Sequence, residues 1–540
     1  MLVSSLSAQF AEPTCVIHTL NGQSLGDQFG WVSAPLPDLN GDGAAELVVT
    51  APFRSNSAGR VYVYSGRDGR FLFLKNGRSP GSVLGHSARP AGDLDGDGKH
   101  DVIAGAPGSP GVAGYALLMS GADGSVLGTV QQGGGADQFG FAVAGVGDVD
   151  GDGTPDVAVS AIGDDEAGTN AGAVYVLSGG GGSVLTKLLG LAAGDGMGSA
   201  LGNVGDVTGD GVAELVVGAS SAGPSGGGMA YVFDLTAPST PLHTLTPDAT
   251  AVNFGHFFAD SPGDVNLDGW PDVYVSDFSD TGGGPAAGKA YVFDGRTGAR
   301  IWTIPGTVPG AGFGIGRGAG DVDGDGYPDL LLCGWQDSTA APSAGKGWLF
   351  SGRDLTVLRT YTSTIAGTTL GFDAHGMGDV DGDGRLDFVL TGAQAGYNRG
   401  VVYLVSGCDG SVQSYGSGLA GTGGQVPALS LAGCPAPGST PVLQIDQGLG
   451  GATGALLLAA SSASVPFAGG QLLVGLPVLA VPRPLSGAMG APGAGAAALP
   501  LPIPDRATLR GTATYVQAAV LDQGAAQGIA LSDGLTLSIK

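Results

Sequence analysis

The sequence predicts an all-β chain: a seven-bladed β-propeller followed by a small β-sandwich. Three observations predict it. An acidic nine-residue loop recurs seven times, with successive copies starting 55–58 residues apart, and a fixed period of this kind marks a repeat architecture. Each repeat holds four short apolar runs bounded by Gly and Asp, which read as strands, while no helical 3.6-residue period of useful length runs through them. Beyond about residue 425 the loop vanishes, but apolar and alternating runs continue.

The loop is clearest at 148–156, DVDGDGTPD. Asp148, Asp150, Asp152 and Asp156 stand at positions 1, 3, 5 and 9, and Gly153 stands at position 6 where the chain must turn sharply. Four carboxylates this close repel one another unless a cation joins them, and a hard ion taking six to eight oxygens, Ca²⁺ first of all, suits the set. The other loops begin at Asp38, Asp93, Asp206, Asp264, Asp321 and Asp379. Four carry a full acidic set: Asp93, Asp95, Asp97, Asp101; Asp148, Asp150, Asp152, Asp156; Asp321, Asp323, Asp325, Asp329; Asp379, Asp381, Asp383, Asp387. A fifth, Asp264, Asn266, Asp268, Asp272, has a neutral oxygen at position 3 and Leu267 where the others have Gly. The last two, Asp38, Asn40, Asp42, Glu46 and Asp206, Thr208, Asp210, Glu214, end in the longer Glu and hold fewer charges. They are expected to bind most weakly. Position 7 (Lys99, Thr154, Trp270, Tyr327, Arg385) is expected to offer only its backbone carbonyl.

An EF-hand opens with the same letters but needs a bidentate Glu at position 12 and flanking helices. Here position 12 is Val49, Ala104, Val159, Val217, Val275, Leu332 or Leu390, always apolar and always inside a strand-like run. The EF-hand reading fails in every copy.

Around each loop the unit is constant. Upstream comes an apolar residue and Gly, as in Phe29-Gly30, Leu84-Gly85, Phe139-Gly140, Met197-Gly198, Phe254-Gly255, Phe313-Gly314 and Leu370-Gly371. Downstream come ELVVTAP or DVIAGAP, then a Gly-led run such as GAVYVLSG, then a fourth run such as GSVLGTV. Four strands in each of seven units make a closed propeller, which leaves no long sheet edge exposed. In this combination of FG, DxDxDGxxD and GAP-like residues, residues 13–418 resemble the FG-GAP repeats of integrin α-subunit propellers and their bacterial exported relatives. The resemblance implies that the acidic loop joins the first and second strands of a blade and binds Ca²⁺ on one face. The spacing leaves no room for the integrin I-domain insertion, so integrin ligand choice is not carried over.

The division expected is a tail at 1–12, the propeller at 13–418, a Gly-rich linker at 419–424 and the sandwich at 425–540. The SLSA-Q of the tail looks like the end of an export signal, with a plain disordered terminus as the alternative. The C-terminal runs, among them ATLRGTATYVQAAVLD and GIALSDGLTLSI, resemble modules on large exported bacterial proteins. The run CVIHTL near the N-terminus matches the fourth-strand pattern without three strands before it, so it is expected to complete the last blade. Residues 411–415 are the competing candidate for that place. In the first arrangement Cys15 falls beside Cys408 and a disulfide is expected; Cys408–Cys434, or no bridge, is the alternative. Cys333 reads as a buried thiol.

The formal net charge is −26, and 25 of the 48 acidic residues fall in the loops, so much of that charge belongs to presumed ion sites rather than to a merely solubilising surface. No Lys/Arg stripe suggests nucleic acid, and no unbroken apolar stretch of about 20 residues suggests a membrane span.

The functional expectation is a secreted or cell-surface binding or adhesion module, with structural Ca²⁺ and a protein or glycan partner. The partner face is assigned to the variable loops between second and third strands, with Phe53, Arg54, Phe278, Trp335, Tyr397 and Arg399 as contact candidates. An extracellular hydrolase or lyase acting on polysaccharide, and a structural matrix component, are the alternatives. An enzyme is not expected, because no GxSxG, HExxH or Cys–His pairing is present. His86 and His256 each follow a motif Gly, which places them together near one rim.

Overall fold

In the computed structural model the described residues are 9–12, 14–407, 411–432, 435, 440–504, 506, 509 and 512–539. The chain divides into two compact units, the second of which takes up the chain from Val405 onward together with the short segments 13–17 and 381–385.

The first unit contains seven four-stranded sheets. Blade 1 is Ser33–Leu36, Glu46–Thr50, Arg60–Ser65 and Phe71–Asn76, in that order across the sheet. Blades 2 to 6 repeat the plan. The acidic loop always joins strands one and two. In blades 1 to 6 the second strand is buried along its whole length, as at Asp101–Ala106 and Asp329–Gly334. Sheets flank it on both sides, which explains why these runs are continuously apolar rather than alternating. The cores lie between neighbouring sheets: Val48, Val61 and Val63 of blade 1 pack with Val102, Ala104 and Leu117 of blade 2.

The apolar residue of the motif is the joint between blades. Gly172, Gly228, Gly288 and Gly345 form parallel bridges with Met197, Phe254, Phe313 and Leu370 of the next blade. Phe313 N–H donates to Ala287 O at 3.0 Å, and Phe254 N–H to Gly227 O at 2.9 Å. Gly288 has φ +85°, and a Cβ there would lie 2.0 Å from the Phe313 carbonyl oxygen, so no other residue fits. The same joint closes the circle, since Phe29 N–H donates to Arg399 O at 3.2 Å.

Strand Val16–Asn21 is the outer strand of blade 7, beside Val401–Val405, Asp387–Gly392 and Ala374–Gly378. The competing segment Ser411–Tyr415 instead pairs antiparallel with Ile529–Ile539. The expected propeller end at 418 therefore includes a strand that belongs to the C-terminal sheet. The Cys15 carbonyl accepts the Ser406 N–H at 2.8 Å; Cys408 and Cys434 lie outside the described residues. Cys333 is fully buried.

Residues 9–12, expected within a loose tail, are pinned to blade 6. Ala11 N–H donates to Thr362 O at 2.8 Å. The Glu12 carboxylate accepts the Thr362 N–H at 2.7 Å and the Thr360 hydroxyl at 2.8 Å. Phe10 is buried edge-on against Tyr403, with ring centroids 5.3 Å apart. Chain beyond the end of a repeat is held here because it supplies the polar partners that an outer strand otherwise lacks.

The second unit has a five-stranded sheet in the order Ser411–Tyr415, Ile529–Ile539, Thr512–Leu521, Thr453–Ala459, Leu479–Pro484 and a three-stranded sheet of Ala428–Ala432, Val442–Gly448 and Gly495–Pro500. Leu429, Leu443 and Ile445 of the smaller sheet pack with Leu456, Val516, Ala518 and Leu535 of the larger. This is the two-layer packing of a sandwich.

Candidate functional site: acidic loops at one end, an aromatic hub at the other

The acidic loops fold by one scheme. The position-1 carboxylate caps the turn: Asp93 accepts from Gly96 N at 2.8 Å, Asp97 N at 3.1 Å and Gly98 N at 2.8 Å. Asp148 and Asp321 do the same within 0.1 Å. Position 5 accepts the position-7 amide, as Asp97 does from Lys99 N at 2.8 Å and Asp325 from Tyr327 N at 3.0 Å. The same holds at Thr154, Trp270 and Arg385. Position 9 is buried in all seven copies: Glu46, Asp101, Asp156, Glu214, Asp272, Asp329 and Asp387. Asp101 takes Leu94 N at 2.7 Å on one oxygen and Gly121 N, from the turn between strands three and four, at 2.8 Å on the other.

Burial raises the carboxyls of Asp101, Asp156 and Asp329 above their ordinary range and pushes Asp272 up to about 7. Burial also pushes Glu46 and Glu214 to about 7, with the neighbouring loop aspartates adding to the rise. A partner cation is what would let these groups stay ionised. Ligand oxygens of Asp93, Asp95, Asp101, of Asp148, Asp150, Asp156 and of Asp321, Asp323, Asp325 lie within 4.8 Å of one another, as do those of Asp38, Asp42, Glu46 and Asp206, Asp210, Glu214. These all-oxygen sets could hold a hard divalent ion.

The two Glu copies converge as tightly as the full ones. What sets them apart is position 3. The Asn40 amide donates to Glu46 Oε1 at 2.6 Å and the Thr208 hydroxyl to Glu214 Oε1 at 3.3 Å, so a neutral donor occupies an oxygen that an Asp would leave open. In the fifth loop Leu267 holds φ +58°, the left-handed conformation that Gly takes at this place in the other copies.

Opposite the loops, the residues following the motif glycines meet at the axis. Trp31, His86, Phe141 and Phe372 come from four different blades, and Phe257 reaches across to join them. Trp31 lies 5.0 Å from Phe372 and 6.3 Å from Phe257, and His86 lies 4.5 Å from Phe141 (centroid distances). His86 and His256 are brought into this hub. Burial lowers His86, and it lowers His256 to about 4 with His86 adding to the effect, so both pack as neutral rings.

Of the six contact candidates, three belong to the hub: Phe53 stands edge-on to Trp31, Trp335 edge-on to Phe372, and Phe278 lies 6.0 Å from His256. Arg54 is tied to Asp27 and to the Ser24 hydroxyl. Tyr397, 90% exposed, and Arg399 stand free at the rim. Sequence reasoning missed the hub as a whole and the two arginines beneath it, Arg89 and Arg317. The recurrence of ring residues just after the motif Gly was the available signal.

The family described as FG-GAP-like repeat matches residues 38–104, 93–159 and 264–332, and the FG-GAP repeat matches 197–233. The repeats are FG-GAP repeats. The chain is 35% identical over 165 residues to integrin alpha-7 of Rattus norvegicus, covering 27% of this chain and 14% of that protein. It is 33% identical over 180 residues to human integrin alpha-IIb, covering 29% and 17%. The chain thus spans a small part of the relatives it matches. The WD40 domain of Toxoplasma gondii coronin superposes with a TM-score of 0.42 at 10% identity, over 74% of this chain and 85% of that one. The FG-GAP propeller is integrin-α-like, and its acidic groups could hold metal ions.

Proposed function

We propose that this chain is an extracellular or cell-surface binding module whose FG-GAP propeller is held in shape by Ca²⁺ and takes a protein or glycan partner on the rim opposite the acidic loops. The observation that carries the reading is the separation of the two ends. One end repeats a single polar turn seven times, and the other presents loops of unrelated sequence around an aromatic hub. In this reading the ions are structural. Residues at positions 1, 3, 5 and 9 would hold them, and neutralising those carboxylates would fix turns that otherwise repel themselves. The similarity to integrin α chains supports a binding role and a place outside the cell.

The test is a glycan and surface-protein array probed with the purified chain, with and without excess chelator. Binding that needs Ca²⁺ and weakens in the Tyr397→Ala/Arg399→Ala double variant is expected. Binding that survives full, verified metal removal would overturn the structural-ion reading, and binding unchanged in the rim variant would overturn the rim assignment.

A further inference from the structure

We propose that the axis of the propeller binds a small organic carboxylate carrying a single ring, with Arg89 as the anchor. Two cavities meet at Arg89 and Arg317. One, of about 260 Å³, is walled by Trp31, Phe141, Phe257 and Trp335 among others. The second, of about 350 Å³, is lined on its polar side by Ser33, Asp260 and His375.

The two arginines are not equivalent. Arg317 is fully engaged, with Nε 3.0 Å from Asp260 and Nη1 2.9 Å from Asp373. Asp373 also accepts the Ser33 N–H at 2.8 Å, and His375 Nε2 lies 3.0 Å from the Ser33 hydroxyl. Arg89 has no such partner among the described residues. Its one side-chain hydrogen bond among the described residues runs from Nη1 to the carbonyl of its neighbour Ala88 at 2.9 Å. A half-buried guanidinium without a carboxylate at ion-pair distance is costly. Burial and repulsion from Arg317 lower Arg89 to about 10, which still leaves it charged at neutral pH.

An incoming carboxylate would offer two oxygens to the planar fork of Arg89, the pairing this side chain makes best. The class of ligand follows from the walls. The aromatic side chains that line the cavity with Arg89 call for a flat or apolar body. A cavity of about 260 Å³ falls below the ~300–1,000 Å³ of drug-sized pockets, so one ring is the fitting size. Inorganic anions satisfy the arginine but leave the rings unused. Asp260 and Asp373 are already taken up by Arg317, so the group left to be matched is the Arg89 cation, which calls for an anion. The site does not depend on what the outer rim holds, because it is reached along the axis and takes a small molecule.

The experiment is calorimetric titration of the full chain in Ca²⁺ buffer with phenylacetate and with glucuronate, using phenylacetamide and inorganic phosphate as controls. At least one of the two acids is expected to bind in the millimolar range or better, and the arm that binds tells an aromatic acid from a sugar acid. The phenylacetamide control is expected to be roughly tenfold weaker or more, the cost of an unmade charge-assisted pair, and phosphate weaker as well, because it leaves the rings uncovered. Arg89→Met is expected to abolish binding while keeping the fold, and Trp335→Ala to weaken it. Should Arg89→Met fail to fold, Arg89→Lys, which keeps the charge but not the fork, is expected to bind several-fold more weakly than the native chain. Failure of both acids to bind the native chain, or equal binding of acid and amide, overturns the proposal. So does binding undiminished in Arg89→Met. Array binding at the rim is read separately and is expected to be unaffected by Arg89→Met.

Discussion

At the acidic end, Asp93, Asp148 and Asp321 accept the same three backbone N–H groups at distances that agree within 0.1 Å. At the opposite end, the residues after the motif glycines are Trp31, His86, Phe141, Ser199, His256, Ile315 and Phe372, a ring in five blades but no single residue type throughout. The difference teaches what each end answers to. An acidic loop has a purely local task, folding one turn, so every blade solves it alike. The hub is shared by all blades, so one large ring can fill the space another leaves, as Phe257 does for its small neighbour Ser199.

The largest effect expected is at the acidic end. Chelation should lower the melting temperature by more than about 10 °C, because many sites lose a ligand that binds only the folded state. Scanning calorimetry with metal analysis checks it, and an unchanged curve on fully stripped protein would erase the contrast between the two ends.

Next comes the same substitution made at both ends. Gly288→Ala drives a Cβ to 2.0 Å from a backbone oxygen, whereas Gly326, in an acidic loop with φ +94°, has nothing within 4 Å. Gly288→Ala should cost upwards of ~3 kcal/mol and Gly326→Ala about 1 kcal/mol, the latter from backbone conformation alone. Urea unfolding of the two variants gives both numbers.

A third test is at the hub. His256 is held near 4 in the folded chain against about 6.5 unfolded. The folded state therefore binds fewer protons between those values. The stability that neutral His256 contributes is complete above about pH 6.5 and is lost as pH falls toward 4. His256→Phe should remove this loss, so the native chain should fall further than the variant between pH 7 and 4.5.

The smallest effect is a gain. Leu267→Gly should stabilise by roughly 1 kcal/mol by releasing a left-handed leucine, as urea unfolding would show.

The seven four-stranded sheets and the latching strand were legible because each rests on a local pattern: an acidic turn, a Gly-led run, an outer strand without predecessors. The boundary near 405 was not, because SVQSY reads equally well in either sheet and its partner, Ile529–Ile539, lies over a hundred residues away. The anchoring of Phe10 and Glu12 escaped for the same reason. At the candidate site the ligand positions could be read off the repeat, but the convergence of Trp31, Phe257 and Arg89 could not. Residues from different blades meet only when the circle is closed, and no spacing within one repeat records that.

The strand Val16–Asn21 is made long before the strand it sits beside, Val401–Val405. During synthesis it has to wait, unpaired, until nearly four hundred further residues exist. Until then the nascent protein is an open arc with two raw margins, each able to capture a neighbouring chain. Any chaperone that serves this chain has that one early segment to shield, and a copy interrupted before the last blade has no way to shut.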